Sequence, residues 1–153
     1  MIRRAKKEDI PRILELLSQV LEVHAAIRPD LFVPGTTKYS VEELEEMIAD
    51  EEKPIYVCDE DKVIGYTFCQ IQEPPFTSTM VPRKNLFIDD LCVDESARGK
   101  HVASRLFEYV KEEAKRLGCY SVILNVWEGN DPAIRFYGSM GMKPRETQME
   151  LIL

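Results

Sequence analysis

Residues 86–127 constrain the fold more than any other part of the chain. "LFIDDLCV" (86–93) is an apolar run with two carboxylates at its middle, and "YSVILNVW" (120–127) is a second, almost continuously apolar run. Between them Val102, Leu106, Val110, Ala114 and Leu117 recur at spacings of four, four, four and three. That is one face of a helix, with Gly118 as its C-cap. A strand–helix–strand unit of this length makes parallel neighbours through a right-handed crossover. The apolarity of 120–127 predicts a strand buried on both faces. Helix 102–117 then begins at the carboxyl end of strand 86–93, where ligands collect in such sheets.

The remaining elements follow from the same periodicities. Residues 2–5 form a short strand, and Asp9 and Pro11 open a helix whose apolar face is Ile10, Ile13, Leu14, Leu17, Val20 and Leu21. "RPDLFVPG" (28–35) is a loop. Ser40 and Glu43 make a capping-box signature before a helix with Val41, Leu44 and Ile48 on one side. Strands at 55–58 and 63–72 flank the acidic turn Asp59-Glu60-Asp61 and form a hairpin, and the proline-bearing "EPPFTSTMVPRKN" is a long loop. Asp131-Pro132 starts a last helix that Gly141 closes, and "TQMELIL" alternates Met149, Leu151 and Leu153 as a final strand. The expected order is β-α-α-β-β-β-α-β-α-β, a mixed α/β domain spanning residues 1–153.

Composition narrows the classes of function. The net charge of −7 argues against a nucleic-acid partner and is compatible with a cationic substrate such as an amine. No apolar run approaches the roughly 18 residues of a membrane span, and "MIRRAKKEDI" does not read as a signal peptide, so a cytoplasmic protein with no membrane partner is expected. Cys58, Cys69, Cys92 and Cys119 fall in apolar stretches without a C-x-x-C pair and read as buried free thiols. With only His24 and His101 as histidines, no metal site is expected. His24 reads as structural, and Phe87, Trp127 and Phe136 read as core aromatics.

"SARGKHVASRLFEYV" (96–110) poses the functional question. A helix N-terminus presents unpaired N–H groups and about half a positive charge, which suits a phosphate. Here Gly99, Ala103 and Ser104 are small, and Arg98 and Lys100 are basic. Taken alone, the segment serves equally as a plain strand-to-helix connection. It matches neither G-x-x-x-x-G-K-[ST] nor G-x-G-x-x-G.

A second constellation decides between these. "NVWEGNDPAIRFYGSMGM" sets Asn130 before a helix and Tyr137 within it, with Ala133 and Gly141 at N-x-x-A-x-x-x-Y-x-x-x-G spacing. Together with Arg98-Gly99-Lys100-His101-Val102-Ala103, which fills an R/Q-x-x-G-x-G/A pattern, the chain resembles the GNAT superfamily of acetyl-CoA-dependent N-acetyltransferases. The resemblance spans nearly the whole chain, because the order of elements matches too. It implies a mixed, mostly antiparallel central sheet with helices on both faces and a parallel β-α-β cofactor-binding unit.

It also implies roles. Leu91, Cys92 and Val93 would offer main-chain groups to the pantetheine arm and the thioester carbonyl. Arg98, Gly99, Lys100, His101, Val102, Ala103 and Ser104 would form the pyrophosphate loop, its main-chain N–H groups from Gly99 to Ser104 holding the phosphates. Asn130 would bind the pantetheine arm, and Tyr137 would protonate the leaving thiolate. His101 departs from the family glycine but keeps its N–H. The implied reaction moves acetyl from the co-substrate acetyl-CoA to a primary amine of a small molecule or of a protein or peptide, by direct attack in a ternary complex. A carboxylate, directly or through water, can take the amine's proton. Asp89 and Asp90 point to opposite faces of a regular strand, so one of them should reach the cleft, and Glu73 is a third candidate. Members that acetylate protein N-termini often carry a glutamate where this chain has Asn125, which weakens that assignment. A CoA-binding sensor or interaction module without turnover is the competing reading, and a homodimer is an open expectation.

Overall fold

A computed structural model describes residues 1–153. Five strands, β1 (Ile2–Arg4), β2 (Ile55–Glu60), β3 (Lys62–Gln72), β4 (Asn85–Val93) and β5 (Ser121–Leu124), form one sheet in sequential order. Four helices accompany it: α1 (Ile10–Ile27), α2 (Val41–Ala49), α3 (Val102–Arg116) and α4 (Asp131–Ser139). The first four strands are antiparallel neighbours, and β4 and β5 are parallel across the α3 crossover. No helix is long and apolar enough to cross a membrane.

Helices cover both faces, as the resemblance implies. On one face α1 and α2 bury Ile13, Leu16, Leu17 and Leu44 against Val57, Tyr66, Phe68 and Cys92. On the other, α3 buries Phe107, Val110 and Ala114 against Tyr56, Cys69, Leu86 and Ile88. Full burial of each such side chain contributes about 1.5–3 kcal/mol. The Ser40–Glu43 capping box forms in both directions, each at 3.1 Å. Asp9 departs from expectation. Its carboxylate reaches back to the Lys6 N–H and pairs with Arg3, so it closes a short 3-10 turn before α1 instead of capping the helix.

Two elements differ from their sequence reading. β5 is only four residues long and half-buried, because it pairs with β4 on one side and with nothing on the other. Val126 and Trp127 lie beyond it in the open, so Trp127 is no core aromatic; its ring meets Phe32 edge-on at 5.6 Å. The alternating C-terminal segment 147–153 is not a strand. Alternation gives a segment two faces, but a strand also needs a neighbour. Residues 143–153 make no main-chain hydrogen bond. The four cysteines are free; Cys58, Cys69 and Cys92 are buried and Cys119 partly so.

Gly65 fixes how closely α3 sits on the sheet. A Cβ there would lie 3.0 Å from Val102 Cγ1, 3.1 Å from the Cys92 carbonyl oxygen and 3.2 Å from Leu106 Cδ1. Gly65→Ala should therefore destabilise the fold by about 1–3 kcal/mol, through displacement of α3's first turns. Chemical denaturation measures this directly, and an unchanged midpoint would contradict the close approach.

Candidate active site

The site begins with an irregularity in β4. Phe68 pairs with Asp90 and Cys69 pairs with Ile88, so Asp89 is an extra residue without an opposite number, a β-bulge. The bulge overturns the regular alternation expected of the two carboxylates. Asp89 accepts a hydrogen bond from Tyr39 at 2.6 Å, and Asp90 accepts one from Tyr66 at 2.8 Å. Both tyrosine rings pack on Phe68, at 5.5 and 4.7 Å between centroids. The two acids thus serve the same face of the sheet, that of α1 and α2.

Their environments are unlike. Asp89 is partly exposed and holds the Lys38 ammonium, with Nζ 3.0 Å from each carboxylate oxygen. Asp90 is half-buried by exposure, yet loss of solvation around its carboxyl pushes it up to about 6, against the opposing pull of the Tyr66 hydrogen bond and the Lys38 charge. Burial and the nearby Asp90 charge together raise the Tyr66 phenol well above its ordinary range. The loop residues Lys38 and Tyr39 carry no spacing pattern that would reveal this role. Tyr66 is visible in the sequence only as one more apolar strand position.

Beyond the bulge, β4 and β5 part company. Their pairing stops at Ile88–Leu124, while β4 runs on to Val93. Leu91, Cys92 and Val93 therefore present one edge of their main chain to a gap between the strands. Asp94 ends β4: it accepts from the Ser96 N–H and forms an ion pair with Arg12, which also donates to the Val63 carbonyl. These bonds tie α1 to the turn that leads into α3.

α3 then begins without a side-chain cap. Gly99 has φ +80°, and His101, at the N-cap, sits at φ 60°, ψ 23°. His101 thus occupies the left-handed region that glycine adopts freely, which is the backbone reason for a glycine at this position. Its side chain is exposed, and its carbonyl accepts from Arg105 N–H at 3.1 Å. Arg98, Gly99 and Lys100 are exposed, Val102 is buried, and Ala103 and Ser104 are half-buried along the first turn.

From α4, Tyr137 packs between Phe107 and Phe136 at 6.2 and 5.1 Å. Burial raises its phenol, and the Asp90 charge adds to the shift, which places the two groups within range of one another's field. Asn130 caps α4 through its Oδ1 and the Ala133 N–H at 3.4 Å, leaving its amide N–H groups free. Glu73 is not brought to this group. It follows Gln72, which pairs with Asn85 at the start of β4, about 13 Å of extended chain from Asp89. It borders a depression with Lys84, Cys119 and Tyr120 instead.

An open gap beside a bulged strand, a bare helix N-terminus and a phenol within the field of Asp90 suit an acyl-thioester transferase. The profile of the acetyltransferase (GNAT) family matches residues 17–142, and the chain belongs to that family. It is an acyltransferase, and its family uses acetyl-CoA. Thialysine N-epsilon-acetyltransferase of Bos taurus is 26% identical over 151 residues, covering 92% of this chain and 82% of that protein. A mutant Bacillus halodurans protein superposes with a TM-score of 0.94 at 32% identity, over 100% of this chain and 99% of that one. Glucosamine-6-phosphate N-acetyltransferase from Arabidopsis thaliana superposes with a TM-score of 0.72 at 25% identity, over 99% and 97% of the two chains.

Asp90 offers a test of the site's cost. A carboxyl raised from 3.8 to about 6 binds its proton more tightly in the folded than in the unfolded chain. Stability therefore rises as pH falls from about 6 towards 4, and the cost, roughly 3 kcal/mol, is fully present above pH 6. Asp90→Asn should raise the melting temperature at pH 7.5, and the gain should vanish near pH 4. A variant less stable than the native protein at pH 7.5 would contradict this.

The helix N-terminus gives a second test. His101→Gly relieves about 1 kcal/mol of left-handed strain, which offsets the backbone freedom that glycine adds. It should leave stability nearly unchanged and CoA binding at least as tight. Nothing lies within 4 Å of a Cβ at Gly99, so Gly99→Val strains only the backbone of the free protein, yet sets a branched group where a phosphate held by this loop would approach. Calorimetric titration with CoA should show the valine variant folded and weakened. Native affinity in that variant would remove this loop from cofactor binding.

Proposed function

We propose that the protein transfers acetyl from acetyl-CoA directly to a primary alkyl amine. The observation that carries this reading is the Lys38 ammonium seated on Asp89. The carboxylate at the bulge already holds an alkylammonium, and an acceptor's ammonium would take the place of Lys38. Asp89 first takes one proton from that ammonium, and the freed lone pair of the neutral amine attacks the thioester carbonyl. Asp90 behind it keeps the pocket negative at neutral pH. Main-chain groups of Leu91–Val93 hold the carbonyl as it becomes an oxyanion. The C–S bond breaks, and Tyr137, whose raised phenol is protonated at working pH, gives its proton to the thiolate and is reprotonated, directly or through water, by the second proton that the nitrogen loses as the amide forms. Gly99–Ser104 hold the pyrophosphate, with Arg98 and Lys100 adding positive charge, and Asn130 binds the pantetheine arm.

Direct attack, without an acyl-enzyme, is supported by the state of Cys92, the one thiol on the site strand. Burial pushes it up to about 12, and its Sγ donates to the Leu16 carbonyl at 3.4 Å. Such a thiol is a poor nucleophile. The relatives named for thialysine and glucosamine 6-phosphate acetylation both act on primary amines. Of these, the ammonium-on-carboxylate arrangement favours the lysine-like acceptor.

Thiol release from acetyl-CoA should be fastest with thialysine, lysine or polyamines and slower with glucosamine 6-phosphate. Tyr137→Phe should lower kcat about 10²–10⁴-fold with little change in CoA affinity. Asp89→Asn should raise KM for the amine as well as lower kcat. Absence of thiol release with every primary amine tested, or native kcat in Tyr137→Phe, would overturn the assignment.

A further inference from the structure

Lys38 brings an ammonium of the chain itself to the bulge. It lies on the loop 28–40 between α1 and α2, and its Nζ stands 3.0 Å from both carboxylate oxygens of Asp89. The next residue fixes that approach. Tyr39 donates its hydroxyl to the same carboxylate at 2.6 Å, and its ring meets Phe68 edge-on at 5.5 Å. Lys38 Nζ also lies 5.4 Å from the Tyr39 ring centroid. Two adjacent loop residues are thus anchored on one acid.

The other paired lysines are placed differently. Lys111 and Lys115 meet Glu108 and Glu112 one turn away on α3, and Lys7 meets Glu45 of α2. Lys38 alone among the ion-paired lysines reaches a carboxylate of β4. Its side chain is 46% exposed, so water screens the pair and the pair opens readily. Its charge is also felt on both sides of the site. Burial lowers the His24 imidazole of α1 and the Lys38 charge lowers it further, while the same charge opposes the upward push on Asp90.

We propose that the protein acetylates its own Lys38, in cis, from bound acetyl-CoA. This rests on the acetyl transfer proposed above, with Asp89 as the base. Asp89 takes one proton from the Lys38 ammonium, and the neutral Nζ attacks the thioester carbonyl. The N–C bond forms, the C–S bond breaks, and the departing thiolate takes a proton from Tyr137. The second proton lost by Nζ returns to Tyr137, and the first leaves Asp89 for water. Acetyl-CoA and the lysyl ammonium thus give CoA thiol, acetylated Lys38 and one proton. A nitrogen held at the base reacts as an intramolecular partner, an advantage that lysines arriving by diffusion lack. The product amide carries no charge for Asp89, so each chain reacts once and then offers that carboxylate to free amines.

The test incubates the 153-residue protein with acetyl-CoA and no added amine, and reads each lysine by peptide mass spectrometry. Lys38 should gain one acetyl group at least about tenfold faster than any other lysine, at a rate independent of protein concentration. Tyr137→Phe should slow that gain about 10²–10⁴-fold, an effect that purely chemical acetylation by the thioester would not show. Acetylation of Lys38 already present on isolation, and missing from Tyr137→Phe, supports the proposal equally. Lys38 modified no faster than the other lysines, or at a rate that rises with protein concentration, overturns it. So does an equal rate in Tyr137→Phe. Thiol release with added lysine or thialysine separates this outcome from the wider one. If those amines are acetylated and Lys38 is not, self-acetylation is excluded and transfer to free amines stands. If neither is acetylated, both fall.

Discussion

The parting of β4 from β5 is the feature on which the rest of the site depends. Parallel pairing is complete through Ile88–Leu124 and then stops, while β4 continues for five residues with β3 as its only neighbour. The bulge at Asp89 lies where the strands diverge, and bulges bend and twist the strand that carries them. One extra residue thus turns two acids to the same face and opens main-chain groups towards a gap. α3 begins on one side of that gap and α4 brings Tyr137 to it. The close seat of α3 on Gly65 holds this geometry from beneath.

The site is built at the expense of stability. Asp90 is a half-buried, poorly solvated carboxylate with the Tyr66 hydroxyl as its one side-chain hydrogen-bond donor, a costly arrangement beside a core lined by Tyr66, Phe68 and Cys92. Asp89, one residue away, remains near water and carries an ammonium partner. Two neighbouring acids thus take different tasks through environment alone, one meeting a cation and the other holding charge behind it. The tyrosines serve as a hydrogen-bonding lining whose phenols burial keeps protonated.

Much of this was legible in the sequence, and the misses have physical causes. Helical periodicity placed α1 and α3 within a residue of their observed ends, because an amphipathic stripe persists over many turns. Asp131-Pro132 and Gly141 marked the two ends of α4. The carboxylates at 89 and 90 stood out by type, but their shared face depends on a bulge, and a single inserted residue leaves no periodic trace. Lys38 and Tyr39 reach the site from a loop, where spacing carries no geometry. Glu73 was a reasonable acid by type, and strand register removes it to the far end of β4. The segment 147–153 has a strand's pattern without a strand's partner, and pattern alone cannot supply one.

The most direct test of the central account is to map CoA onto the protein by amide chemical-shift perturbation. The account predicts changes concentrated at residues 91–93, 99–104 and 130–137, on the two sides of the gap, with α1's outer face and the β1 edge silent. Perturbations centred instead on the depression bordered by Glu73, Lys84 and Tyr120, with residues 99–104 unmoved, would contradict it.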